Sequence, residues 1–239
     1  MLDYVIRIKN ISKTFDTSTK KIIGNSGFSK IRAIDNISLD IEKGKVVGII
    51  GRNGSGKTTL LRLIAGILYP NSGTIVTKGK IGPLLQVGAG SNEELTVMEN
   101  IIMQGVLLGF KKKWIVDKVP EIIKFAELED YKNEKMKYLS SGMKVRIMFS
   151  TAMQIDPDIL LVDEVIAVGD LTFRQKSYES FLSFKNRNKT IVFVSHNLQS
   201  VQKLCDVVYF LDKGKIVDYG EPEKVIKSYQ GFCKIEGQF

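Results

Sequence analysis

The chain has 239 residues, 44% of them hydrophobic, and a formal net charge of +9; this length and composition suit one fairly large folded domain with a real core, and a folded enzyme is the default reading. No apolar run approaches the roughly eighteen residues that a membrane-spanning helix needs. The positive charge suits an anionic membrane surface or a nucleic acid, or simply a solvated lysine-rich surface, since only Lys111-Lys112-Lys113 forms a run.

In chain order, the N-terminal Met1-Leu2-Asp3-Tyr4 has none of the marks of a secretory signal, so a cytoplasmic location is expected. Strand signals cover Tyr4 to Ile8 and Ile37 to Ile41, the second alternating Ile37, Leu39 and Ile41 with Ser38 and Asp40 as a half-buried strand should. Between them Asp16 to Lys30, rich in Ser, Thr, Lys and Gly, reads as an inserted exposed loop. Val46 to Ile50 is a short continuous apolar strand. A glycine-rich turn, Gly51 to Gly56, and a helical pattern from Lys57 to Leu68 follow it, ended by Tyr69-Pro70-Asn71-Ser72-Gly73.

Residues from about 91 to 155 read as a helical subdomain, with helical spacing in Val97 to Leu108 and in Ile115 to Phe125, where Pro120 is expected to kink or restart the helix. Strand-sized apolar runs return at Ile159 to Val162, Ile191 to Val194 and Val207 to Leu211, alternating with helical stretches as a parallel α/β sheet requires. A helix after Pro222 and a short tail complete residues 221–239, so the whole chain reads as one domain. Cys205 and Cys233 have no metal spacing and are assigned no function.

Gly51-Arg52-Asn53-Gly54-Ser55-Gly56-Lys57-Thr58 matches the phosphate-loop pattern in full, between a strand and a helix as that pattern needs. Glycines let the backbone wrap phosphates closely, its N–H groups point inward, and the helix N-terminus adds partial positive charge. Lys57 is expected at the β- and γ-phosphates, the Thr58 hydroxyl on magnesium, and Thr59 alongside in the same first turn. Ile159-Leu160-Leu161-Val162-Asp163-Glu164 ends an apolar strand in two acids at the sheet edge where open α/β folds bind ligands. The segment resembles a Walker B motif, which implies that Asp163 holds magnesium through water and that Glu164 acts as general base; two acids there could also form a helix N-cap.

Leu139-Ser140-Ser141-Gly142-Met143-Lys144-Val145-Arg146 resembles the signature Leu-Ser-Gly-Gly-Gln of the ATP-binding-cassette (ABC) ATPases. Physically, Ser140 and Gly142 open an amphipathic helix from Val145 to Ile155, a second anion-binding N-terminus. The resemblance implies a P-loop NTPase fold with a RecA-like parallel sheet, a small antiparallel β region and the inserted helical subdomain. It implies Mg-ATP as substrate and a head-to-tail homodimer, in which Ser140, Ser141, Gly142 and Met143 meet the ATP held by the other copy. It also places Gln86 as the Q-loop glutamine and a magnesium ligand, Asp170 as the D-loop aspartate, and His196, the only histidine, as the H-loop residue. Phe15 is the expected adenine-stacking aromatic, with Phe28 as a substitute.

Ser141 and Met143 replace the usual glycine and glutamine of the signature, and Val165 the proline common after the glutamate. With Gly88-Ala89-Gly90, Ala167-Val168-Gly169-Asp170 and Phe193-Val194-Ser195-His196-Asn197-Leu198, these departures resemble the ATPase subunits of bacterial O-antigen, capsule and teichoic-acid exporters. That likeness implies ATP-driven export of a lipid-linked polysaccharide with a separate transmembrane permease and no nucleic acid. It implies peripheral association at the cytoplasmic face of the bacterial inner membrane, and mechanical output from Gln86 and residues from about Gly88 to Trp114. A soluble cassette ATPase of DNA repair or translation, and the ATPase of an importer, are the competing readings.

Overall fold

Two strands of 15 residues, β1 (Tyr4–Ser18) and β2 (Phe28–Glu42), pair antiparallel at the start of the chain. Their Ile6, Ile8, Ile11, Ile37, Leu39 and Ile41 are buried while Ser38 and Asp40 are exposed, the alternation a sheet with one covered face requires. The register breaks between Ile8 and Ile11, and Asn10 and Asn36 adopt left-handed φ of 50° and 54°. The Asn10 N–H donates to Ser38 Oγ at 2.8 Å and the Asn36 N–H to Ser12 Oγ at 3.1 Å, so side chains replace lost ladder bonds at the bulge.

The computed structural model describes residues 3–18, 28–84, 91–163 and 171–235. The chain divides into two units, one of Met1–Lys78 with Val192–Phe239 and the other of Gly79–Ile191. Among the described residues no helix is long and apolar enough to cross a membrane.

In the first unit β4 (Ser72–Thr77) joins β1 on the side away from β2. A second layer has β3 (Val46–Ile50) parallel to β8 (Val207–Asp212), which pairs antiparallel with β9 (Lys215–Gly220). The strand β7 (Thr190–Val194) neighbours β3 on its other side. All five residues of β3 are buried, as in a strand covered on both faces. A Cβ at Gly48 would lie 2.9 Å from Cys205 Sγ, just past the helix α6 (Leu198–Leu204), so a bare backbone lets the layer approach the strand. The last helix, α7 (Pro222–Ile235), sets Tyr229 and Phe232 edge-on to Phe210 of β8, with ring centroids 5.1 and 5.4 Å away.

Two expectations change here. The region from Asp16 to Lys30 is not all loop: its ends continue β1 and β2, with Asp16 opposite Lys30 and Ser18 opposite Phe28, and residues 19–27 lie outside those described. Backbone pairing across a hairpin is indifferent to polar side chains on its solvent face. The helix α1 (Lys57–Ile64) stops short of Leu68, because Gly66 turns left-handed at φ 72° and its N–H bonds to the Leu63 carbonyl.

The second unit holds β5 (Ile81–Leu84), parallel to β6 (Ile159–Asp163), with β7 next in order. It also holds the helices α2 (Val97–Leu107), α3 (Lys112–Ala126), α4 (Ser141–Gln154) and α5 (Leu171–Asn186). The helical region expected at 91–155 is thus part of a larger unit. Pro120 lies inside one continuous α3 rather than restarting it; the carbonyl it leaves without a helix donor belongs to the exposed Val116. Val97, Ile101, Ile115, Val119, Ile122, Met136, Leu139 and Ile147 form the core of this unit. Asn100, fully buried, donates to the carbonyls of Asn92, Leu95 and Thr96 at 2.9–3.1 Å and accepts from the Asn92 N–H at 2.8 Å. Every polar atom of the amide is thereby employed in holding the chain that enters α2.

A Cβ at Gly105 of α2 would fall 2.3 Å from Ile115 Cδ1 and 2.5 Å from its Cγ1. Gly105→Val is expected to destabilise the chain by about 1–3 kcal/mol through overpacking between α2 and α3, read from denaturant midpoints.

Candidate functional site

In the first unit the phosphate loop leaves the buried end of β3 and enters α1. Gly51 has φ +148°, and a Cβ there would sit 2.1 Å from the Leu211 carbonyl oxygen. Gly56 has φ +105°, and its Cβ would sit 2.5 Å from the Ala33 carbonyl oxygen. Both need glycine twice over, for conformation and for room. The loop is pinned from outside: the Gly214 N–H donates to the Ser55 carbonyl at 3.0 Å, and the Asp35 N–H to the Gly214 carbonyl at 2.8 Å. Hydrogen bonding from Lys215, and then from Arg32, holds the Asp35 carboxyl below its usual range.

Lys57 opens α1 and is only 6% exposed. Its ammonium curls back to donate to the carbonyls of Gly51 at 2.7 Å and Arg52 at 2.8 Å. A lysine cation is therefore held inside the loop it belongs to. The Ser55 hydroxyl is buried there with no hydrogen-bond partner, and the first turn of α1 carries no acid to offset its positive end. An orphaned hydroxyl, an inward ammonium and a helix N-terminus around two bare glycines suit a polyphosphate. Arg52 is half-buried, Asn53 and Gly54 are exposed, and Thr58 and Thr59 are half-buried in the first turn, where the hard oxygen of Thr58 suits magnesium.

Phe15 is half-buried on β1, opposite Ile31 and thus two residues along β2 from Ala33, which lies against Gly56. The Lys13 ammonium stands 5.4 Å from the Phe15 ring centroid and donates to the Tyr69 carbonyl at 2.8 Å. Phe28 begins β2; its side chain lies outside the described residues. His196 is exposed in the link from β7 to α6, where Asn197 caps α6 by accepting from the Ser200 N–H at 3.0 Å. A groove of about 1210 Å³ in this unit, walled by Tyr4, Asp40, Tyr209 and Tyr219, contains none of the candidate catalytic, nucleotide-binding or metal-binding residues. Burial pushes the Tyr209 hydroxyl in it up to about 12.

In the second unit Asp163 ends β6, 8% exposed; as an oxygen donor it fits a hard cation. Glu164, Asp170, Gln86 and the segments Gly88-Ala89-Gly90 and Val165 to Gly169 lie outside the described residues. Among those described, no group of three His, Cys, Asp or Glu side chains gathers as a metal site. Ser140 is the N-cap of α4, so the helix begins at Ser141 and not at Val145: the Ser140 hydroxyl accepts from the Met143 N–H at 3.2 Å. Ser140 and Ser141 are exposed, Gly142 and Met143 half-buried, and no acid stands in the first turn of α4. The hydroxyl keeps its own proton to donate while it caps, so Ser140 can cap its helix and still meet an anion.

Sequence reasoning missed the outside supports: Gly214 and Asp35 under the phosphate loop, and Glu93, whose carboxylate accepts from Lys144 of α4 at 2.6 Å. Neither has a local signal; each joins residues far apart in the chain.

A sequence profile of the ABC transporter family matches residues 34–167. The chain is 41% identical to the O-antigen export system ATP-binding protein RfbB of Klebsiella pneumoniae over 201 residues, 84% of this chain and 82% of that protein. It is 38% identical to the teichoic acids export ATP-binding protein TagH of Staphylococcus epidermidis over 236 residues, 96% of this chain and 89% of that one. The solved dimer of MJ0796, a bacterial ABC transporter cassette, superposes with a TM-score of 0.73 at 25% identity, covering 91% of this chain and 98% of that one.

Gly51→Ala is expected to cost about 2–4 kcal/mol of stability, since a methyl cannot occupy the Leu211 carbonyl's place and the φ is left-handed. Thermal unfolding at matched concentration checks it, with Gly54→Ala, whose Cβ meets nothing within 4 Å, as the milder comparison.

Proposed function

The chain belongs to the ABC transporter family and is an ATPase of it, and we propose that it powers an exporter carrying a lipid-linked polysaccharide, whether O-antigen, capsule or teichoic acid, across the cytoplasmic membrane. The observation that carries the ATPase half is the buried Lys57 ammonium turned inward on its own loop. The export half rests on the identity with subunits named for O-antigen and teichoic-acid export, over most of their length and of this one.

In this reading phosphate oxygens draw the Lys57 ammonium from the Gly51 and Arg52 carbonyls, while the N–H groups of Gly51 to Thr59 wrap the phosphate chain. Phe15 stacks on the adenine. Thr58 and Gln86, with Asp163 through water, would hold magnesium, whose charge would offset that on the phosphoryl group. Glu164 takes a proton from water as the water oxygen bonds to the γ-phosphorus and the bond to the β-phosphate oxygen breaks, leaving ADP and phosphate. His196 steadies the γ-phosphate edge. Ser140, Ser141, Gly142 and Met143 of a second copy close the site from the far side, and Asp170 is the D-loop aspartate.

Hydrolysis would then move the helices around Gly88 to Trp114 against a separate transmembrane permease, holding the chain at the cytoplasmic face of the membrane. The permease, and not this subunit, would carry the sugar.

Lys57→Ala is expected to weaken ATP binding at least about tenfold by calorimetry, because buried phosphate loses its charged partner; unchanged affinity would remove Lys57 from the site. Glu164→Gln is expected to bind ATP normally and turn over roughly two to four orders of magnitude more slowly, as loss of a general base demands. Normal turnover in that variant would take Glu164 out of the mechanism. For the export half, deletion of the gene is expected to leave undecorated cells with lipid-linked polysaccharide accumulating inside, and normal surface polysaccharide would contradict it.

A further inference from the structure

The segment Ser91 to Thr96 follows directly on the stretch containing Gln86, and within the second unit it runs beside the chain that leads into the signature. Thr96 bridges Lys135 antiparallel. The Met136 N–H donates to the Leu95 carbonyl at 3.0 Å, the Lys137 N–H to the Glu93 carbonyl at 3.1 Å, and the Val97 N–H to the Glu134 carbonyl at 3.0 Å. From Met136 the chain passes through the buried Leu139 to Ser140 in four residues.

Charge lies over this backbone seam. Glu94 accepts from Lys135 at 3.2 Å and from Lys137 at 3.1 Å, and Lys137, then Lys135, draws its carboxyl below the usual range. Glu93 reaches further and accepts from Lys144 at 2.6 Å. Lys144 stands in the first turn of α4, just after Ser140-Ser141-Gly142-Met143, and its N–H closes that turn on the Ser140 carbonyl at 3.0 Å. Its side chain is 19% exposed, so this end of the pair lies out of bulk water while the Glu93 carboxylate is 64% exposed. On the other side Asn100 grips Asn92, Leu95 and Thr96. The segment between is held at both ends.

We propose that Glu93 is a positioning residue for hydrolysis: through Lys144 it fixes the first turn of α4, and with it Ser140, against the segment leaving Gln86. The segment that follows Gln86 in sequence, from Ser91 to Thr96, and the cap that meets the ATP of another copy are then tied together. This inference rests on the reading of Ser140 as part of a shared site. A half-exposed ion pair adds little to the stability of a fold. It suffices here because a misplaced cap is read in the rate, which is sensitive to small displacements of a group that meets the reacting phosphate.

The test is a charge swap in the full chain, with Glu93→Lys, Lys144→Glu and the double variant. Each single reversal is expected to keep the affinity for a fluorescent ATP analogue within about twofold, since the phosphate loop is untouched, and to lower kcat about five- to tenfold. The double variant is expected to recover kcat to within about twofold. Singles with full kcat, or a double no better than the singles, would overturn the proposal. If a reversal prevents folding, Glu93→Gln and Lys144→Met carry the same comparison at a loss of about two- to fivefold. Hydrogen exchange reads the tie without turnover: residues 91–97 and 135–143 are expected to exchange faster together in each single variant and to recover in the double. If the native chain shows no hydrolysis, the ATPase reading fails, while exchange rates unmoved by the reversals would overturn this one.

Discussion

A buried ammonium must be partnered, and the arrangement around Lys57 follows from how that demand is met. An uncompensated charge at 6% exposure costs several kcal/mol; the loop answers with two of its own carbonyls, at 2.7 and 2.8 Å. Those carbonyls can converge only because Gly51 and Gly56 take backbone conformations closed to other residues, pressed against the carbonyls of Leu211 and Ala33. The supports are therefore part of the site. Strand β8 supplies Leu211, β2 supplies Ala33 and Asp35, and the turn between β8 and β9 supplies Gly214 beneath Ser55. Carbonyl dipoles satisfy an ammonium and so hold the loop folded; phosphate oxygens satisfy one better, and in the proposed reading the cation passes readily to a nucleotide.

The signature end of the second unit is built on the complementary principle. The Ser140 hydroxyl spends its lone pair on the Met143 N–H and keeps its proton. The first turn of α4 lacks acids, and the one charged side chain in it with an assigned partner, Lys144, is tied to Glu93. One half offers a cradle and the other an aimed helix end.

How much of this was legible in the sequence depended on the range of the interaction. The phosphate loop and the apolar strands before Gly51 and up to Asp163 are local patterns and stand where the spacing put them; the helix behind Ser140 is also a local pattern, but it starts four residues earlier than its apolar spacing indicates, because the Ser140 cap and not the first apolar residue sets its beginning. Strand β4, exposed along most of its length, and β5, with Pro83 in its edge position, were not read because neither shows a clean apolar signal. The polar ends of β1 and β2 read as loop in the sequence because composition reports what a side chain prefers and not what a hairpin's backbone can pair with. Residues such as Gly214, Asp35 and Glu93 act at sequence distances no window spans. The acids and glutamine assigned to chemistry, Glu164, Asp170 and Gln86, rest on the sequence resemblance.

The central claim is that the cradle around Lys57 is half of a site and needs the Ser140 cap of another copy. Its most direct test is the specific ATPase activity of the native chain at saturating Mg-ATP across a wide range of protein concentration. The account predicts activity per subunit rising with concentration, second order overall when dilute, to a plateau where every cradle has found a cap. Activity per subunit that stays constant down to concentrations at which the chain sediments as a monomer with ATP bound would contradict it.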